Sequence, residues 1–127
     1  VIQAKQAAPF NRNLSDAERA KYPGGQDRFY HDAIREGLNT EPPDQLEKLL
    51  EKIFDSTTRK QMGEWLYYNL AQRALTEGRP DEAVKLMEKV DPLDLRAYLA
   101  FQIAEAALNK SKDNRRAAES LAVRMRG

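Results

Sequence analysis

Residues 65–92, WLYYNLAQRALTEGRPDEAVKLMEKVDP, constrain the fold more than any other stretch of this chain. Apolar residues recur at helical spacing on both sides of Gly78-Arg79-Pro80. That pattern predicts two amphipathic helices joined by a tight turn, because glycine ends a helix and proline opens one without losing a hydrogen bond. Small residues, Ala71 and Ala83, stand where the two helices must cross. Helix axes approach to about 8 Å only where side chains are short.

Similar punctuation divides the rest. Val1 to Asn13 has no period and carries Pro9, so it is expected to form an arm. Ser15-x-x-Glu18 is a capping box for a short helix that Pro23-Gly24-Gly25 stops. A helix is predicted from about Gln26 to Leu38 on Phe29, Ala33, Ile34 and Leu38, with Gly37 helping to end it. A second opens at Thr40-Glu41-Pro42-Pro43, with Leu46, Leu49, Leu50 and Ile53 as its stripe to about Phe54. Asp55, Ser56 and Thr57 offer caps for a longer helix running to Glu77. Its expected inner face is Met62, Trp65, Leu66, Leu70, Ala74 and Tyr67. Ala83, Leu86, Met87 and Val90 give the stripe of the next. After Asp91-Pro92, a helix over about 93–109 is expected to bury Leu95, Tyr98, Leu99, Ile103, Ala104, Ala107 and Leu108. A polar turn is expected at 110–114. A last helix over about 115–124 is expected to turn Ala118, Leu121, Ala122 and Met125 inward. No segment alternates like a strand, so the fold is expected to be all-α.

The stripes repeat. Lys48-Leu49-Leu50-Glu51-Lys52-Ile53 matches Lys85-Leu86-Met87-Glu88-Lys89-Val90 at an offset of 37, and Leu121 to Met125 follows more weakly at 35. The preceding helices match through Leu70-Ala71-x-x-Ala74-Leu75 and Ile103-Ala104-x-x-Ala107-Leu108, at an offset of 33. A period in the thirties marks an array of helical hairpins. Tyr67-Tyr68-Asn69-Leu70-Ala71, Gly78, Ala83, Met87 and Val90 together resemble the tetratricopeptide repeat family. Ala74 in place of an aromatic, an early Pro92 and Ser111 in place of a glycine turn depart from it. The resemblance is good for 65–92, fair for 93–125 and poor before residue 60. It implies three stacked antiparallel helical hairpins forming a short right-handed α-solenoid over 26–127, preceded by an arm and short helix over 1–25.

Composition excludes more than it selects. The 127 residues carry 21 basic and 20 acidic side chains, a formal charge of +1, and give no field that would favour nucleic acid or an anionic membrane. No apolar run approaches the roughly 18 residues of a membrane span. The chain has no cysteine and a single histidine, His31, whose neighbours Tyr30 and Asp32 are expected on other helix faces. A nucleophile with its base, a tuned carboxylate pair and a metal site are therefore not signalled, and Gly24-Gly25 lacks the spacing of a phosphate loop. No catalytic residue, metal or cofactor is assigned, and an enzyme ranks last. Val1 stands where a Met would start a chain, suggesting a processed or excised protein. A soluble protein is expected, in the cytoplasm or exported after loss of an upstream signal.

The aromatics point elsewhere. Successive helix residues are about 100° apart, so Trp65, Tyr67 and Tyr68 cannot share one stripe. The family resemblance places Trp65, Tyr68 and Gln72 on a concave groove, with Tyr98, Phe101 and Glu105 beside them. Aromatics and amides suit capture of a peptide or helix. Of the family's carboxylate clamp only Asn69 has a match, so recognition of an acidic C-terminus is not expected. The expected partner is a protein or peptide, with no small-molecule substrate. The alternatives are nucleic-acid binding through Lys110, Lys112, Arg115, Arg116, Arg124 and Arg126, and a structural or oligomerising repeat segment.

Overall fold

The structure, a computed structural model, describes residues 10–126, the side chain of Arg126 excepted. The part of the expected arm over 1–9 lies outside the described residues. Six helices and no strand are found among those residues: α1 Asp16–Ala20, α2 Gln26–Gly37, α3 Pro43–Glu51, α4 Ser56–Thr76, α5 Pro80–Met87 and α6 Leu93–Arg126. The chain divides into two compact units, Val1–Gly63 and Glu64–Gly127.

In the first unit the capping box forms as the sequence predicts. Ser15 Oγ accepts from the Glu18 amide, and Glu18 Oε1 accepts from that of Ser15. Phe29, Tyr30, Ala33 and Ile34 of α2 are buried, as are Leu46 and Leu50 of α3, with Ile53 and Met62 beyond them. Phe10 and Tyr22 extend this core. Phe10 stacks on Phe29 at 5.4 Å, and Tyr22 meets Phe29 edge-on at 5.5 Å. The 54–55 amides are tied down by Asp27, which accepts from both at 2.8 and 3.0 Å. Asp55 in turn caps α4 through the Thr58 amide at 2.8 Å. Phe54, expected near the end of the α3 stripe, lies past the helix and is almost wholly exposed.

In the second unit the core is Leu66, Leu70, Ala71, Ala74, Ala83, Leu86, Val90 and Leu99. Trp65 and Tyr67, expected on the inner face of α4, are only part-buried, as is Tyr68. The turn after α4 is a Schellman motif. The Arg79 amide donates to Ala74 O at 2.7 Å and the Gly78 amide to Leu75 O at 3.1 Å. This closure needs a left-handed residue, and Gly78 supplies it at φ +74°. Pro80 then starts α5.

The two units repeat one pattern at an offset of 37. Buried Phe29, Ala33, Ile34 and Gly37 correspond to buried Leu66, Leu70, Ala71 and Ala74. Leu46 and Ile53 correspond to Ala83 and Val90, and Met62 to Leu99. Lys52 lies over the Tyr30 ring as Lys89 lies over Tyr67, at 5.8 and 5.1 Å. The Ile53 amide reaches Leu50 O as the Val90 amide reaches Met87 O, at 3.1 and 3.0 Å. Arg59 Nη1 donates to Ile53 O and Arg96 Nε to Val90 O, both at 2.9 Å. The small residue at the crossing compensates its partner. Gly37 admits Leu46, whose Cδ2 lies 3.1 Å from where a Cβ would stand, and the second unit uses Ala74 and Ala83 at the same places. The offset of 33 expected for the first helices is not followed by burial, because Ala104, Ala107 and Leu108 are exposed. The repeat also reaches back to residue 29, well before residue 60.

The third hairpin does not form as expected. α6 runs unbroken through 110–114, and Ala118, Leu121, Ala122 and Met125 are exposed rather than inward. The offset of 37 gives the reason. Arg115 stands where Gly78 makes the left-handed turn, and Ala117 stands where Pro80 opens α5. Ser120 and Arg124 occupy the places of Ala83 and Met87, so no second apolar stripe faces back. Without a breaker, a helix of ordinary formers continues. Of the residues expected inside the 93–109 helix, Leu99 is fully buried, Leu95 and Ile103 partly, and Tyr98 is half exposed.

Arg59→Met and Arg96→Met should each lower unfolding stability by about 1–3 kcal/mol, because each leaves the carbonyl of a buried residue without its donor. Urea titration followed by helix ellipticity checks this. Gly78→Ala should cost about 1–2 kcal/mol for its positive φ alone, since its Cβ would meet nothing within 4 Å; the same titration reads it.

Candidate interaction face

The residues expected to form a binding face fall in the second unit, on α4 and α6. α6 is held by buried Leu99 and by the Arg96 bond to Val90 O, so its opposite side faces outward. Tyr98 is 51% exposed and Phe101 66% exposed there, a large apolar area to leave in water. Glu105 follows on the next turn and is exposed. On α4, Trp65, Tyr68, Asn69 and Gln72 are part-buried. Asn69 Nδ2 donates to Trp65 O at 2.7 Å, so this amide is engaged by its own helix.

Gln72 and Glu105 do come together. They line a shallow groove of about 300 Å³ with Leu75, Thr76, Gln102 and Asn109. Gln72 Nε2 donates to Gln102 Oε1 across it. Gln102 is a residue the sequence did not single out, although the offset of 37 from Trp65 points to it. Trp65, Tyr68, Tyr98 and Phe101 do not line this groove. Side chains of this kind can bind by apolar burial and amide hydrogen bonding.

Lys110, Lys112, Arg115, Arg116 and Arg124 are exposed on α6, and the side chain of Arg126 lies outside the described residues. At about 100° per residue, Lys110, Lys112, Arg115, Arg116 and Arg124 point around the helix. A nucleic-acid surface gathers its cations on one face.

A polar cluster in the first unit was not foreseen. Tyr22 Oη donates to Asp32 Oδ2 at 2.6 Å, His31 Nδ1 stands 3.1 Å from Asp32 Oδ1, and Arg28 Nε lies 3.1 Å from the same oxygen. His31 and Asp32 thus meet, against the expectation that they occupy separate faces. With Phe10, Leu14 and Arg35 they border an open pocket of about 620 Å³. Burial pushes the Asp32 carboxyl upward, but the hydrogen bonds from Tyr22 and His31 and the charge of Arg28 outweigh it and hold it below the ordinary value. The bond to Asp32 correspondingly raises Tyr22. The Tyr22 bond fastens the chain before α2 onto that helix, while the Arg28 and His31 contacts lie within α2.

Among the described residues no group of three or more histidine, cysteine or carboxylate side chains could hold a metal ion, and no helix is long and apolar enough to cross a membrane. Comparison with family models, curated proteins and solved structures gave no match.

The folded value of Asp32 lies below the unfolded one. Its contribution to stability is therefore complete above about pH 4, near the unfolded value, and is lost as pH falls through the lower folded value. Asp32→Asn should unfold at lower temperature than the parent at neutral pH, and the gap should narrow in acid. Thermal unfolding at a series of pH values checks this.

Proposed function

We propose that this chain is a protein-interaction module that binds a peptide or helix on the outer face of its second unit, with no catalytic activity. The observation that carries this is the exposure of Tyr98 and Phe101 on a helix that Leu99 and Arg96 anchor from the other side. Aromatic rings held on a fixed backbone lose little entropy when covered, which is why such residues dominate binding energy. The amides of the Gln72 and Gln102 groove and the carboxylate of Glu105 supply polar contacts beside them. Trp65, Tyr68 and Asn69 complete the face on α4.

The tetratricopeptide-like character of 65–92 belongs to this proposal. Repetition of burial, carbonyl latch and ring contact at an offset of 37 supports a helical-repeat architecture, whose usual use is to present a surface. A stacked solenoid arrangement of the hairpins belongs to it too.

Panning a displayed peptide library on the purified chain tests the proposal. Selected peptides should bind the parent and lose at least about tenfold in affinity for Tyr98→Ser/Phe101→Ser, consistent with removal of two aromatic anchors. The variant should keep its helix content and unfolding midpoint, since both rings are exposed. Peptides that bind parent and variant alike would place recognition elsewhere.

A further inference from the structure

Among the described residues the C-terminal part of α6 packs against no other helix. All residues from Ala107 to Met125 are exposed, a length of about 28 Å at 1.5 Å per residue. A helix of this length is marginal in water on its own, and stable helices gain most of their stability by packing one face. The repeat identifies the face. Ala107, Leu108 and Ser111 correspond at an offset of 37 to Leu70, Ala71 and Ala74, and through them to Ala33, Ile34 and Gly37, all buried. In both earlier units the chain then reverses and continues as α3 or α5. Among the described residues no helix folds back on α6 in this way, and Leu108 is 56% exposed, Leu121 58% and Met125 80%.

The geometry points to a second copy of this chain as the occupant, its α6 packed antiparallel against this one over residues 108–125. The side chains set a seven-residue frame. Leu108, Ser111, Arg115, Ala118, Ala122 and Met125 follow at alternating steps of three and four, which is the seam spacing of paired helices. Glu105, Lys112 and Glu119 recur every seven residues along one edge of that seam, and Ala107, Asn114 and Leu121 along the other. In an antiparallel pair a two-fold axis perpendicular to the helices brings like edges together. With the axis between residues 116 and 117, Leu108 lies over Met125 of the second copy, Ser111 over Ala122 and Arg115 over Ala118. Lys112 then faces Glu119 at two symmetric places. The small Ala118 leaves room for the Arg115 stem to lie along the seam with its guanidinium in water. Sliding the pair by one heptad sets Glu105 against Glu119 and Lys112 against itself. A parallel pair sets the charged edge against the uncharged one and gains nothing from these residues. The charges thus select both orientation and register. This surface lies mostly beyond the proposed peptide-binding face, and the two meet at Glu105 and Asn109.

Sedimentation of the full chain, up to about 1 mM so that even millimolar association registers, tests this. The parent should form a dimer. Lys112→Glu and Glu119→Lys should each weaken it on the order of tenfold by placing like charges at two sites. Both residues are exposed, so ellipticity should show the fold unchanged. An equimolar mixture of the two single variants should recover the parent affinity. In the mixed pair the two substituted positions face each other, as do the two unsubstituted ones, and opposite charges meet at both places. Only an antiparallel pair in this register does this. A parent that stays monomeric, single variants that dimerise as the parent does, or a mixture that fails to recover would each overturn the proposal.

Discussion

Each unit depends on how one backbone carbonyl at the end of its second helix is satisfied. Helix ends leave carbonyl oxygens without partners, and burying such an oxygen unpaired costs about 1–3 kcal/mol. Ile53 and Val90 are both fully buried at the point where the chain leaves one hairpin for the next helix. Arg59 and Arg96, in the first turn of that next helix, reach back six residues to bond those carbonyls. The apolar side chain can therefore be buried, the corner can be sharp, and the following helix is fixed in direction by its own first turns. α6 inherits its orientation relative to α5 from this bond and from Leu99.

Much of this was legible in the sequence. Proline and glycine punctuation placed the starts of α2, α3, α5 and α6, and cap residues those of α1 and α4, each within a residue or two. Most of the stripes of α2, α3 and α5 are buried, Leu46, Leu50, Ala83 and Val90 among them, while Leu38, Leu49 and Met87 are part-buried. What local pattern could not show was which repeat offset governs packing. Ala104, Ala107 and Leu108 look like Ala71, Ala74 and Leu75 along the chain, yet burial follows Leu66 to Ile103 and Met62 to Leu99 instead. Polarity at 110–114 suggested a turn, but polar residues are permitted in an exposed helix. The informative signals were the missing glycine at Arg115 and the missing proline at Ala117. The Arg59 and Arg96 bonds were invisible because an exposed-looking arginine on a helix has many bland uses. The Tyr22 and Asp32 bond was equally hidden, since it joins residues on either side of a glycine turn.

The expected face was partly assembled. Gln72 and Glu105 share a groove, while Tyr98 and Phe101 stand clear of it and Asn69 turns to its own backbone. Sequence reasoning can place residues on a helix face, but not the partner that would cover them. Failure of the third hairpin to close leaves α6 with two outward surfaces of different character. One is aromatic and lies near the anchored end, and the other is a charged-edged seam beyond it. Two equivalent corners thus lead into a helix whose core face is uncovered among the described residues.

Residue-resolved amide hydrogen exchange on the full chain at low concentration tests the central claim, that two equivalent corners anchor the repeats and leave the far half of α6 unpacked. Slow exchange is predicted at Ile53 and Val90 alike and along the first turns of α6, with protection falling away between Ala107 and Met125. Rapid exchange at either corner, or protection of 107–125 equal to that around Leu99, would contradict it.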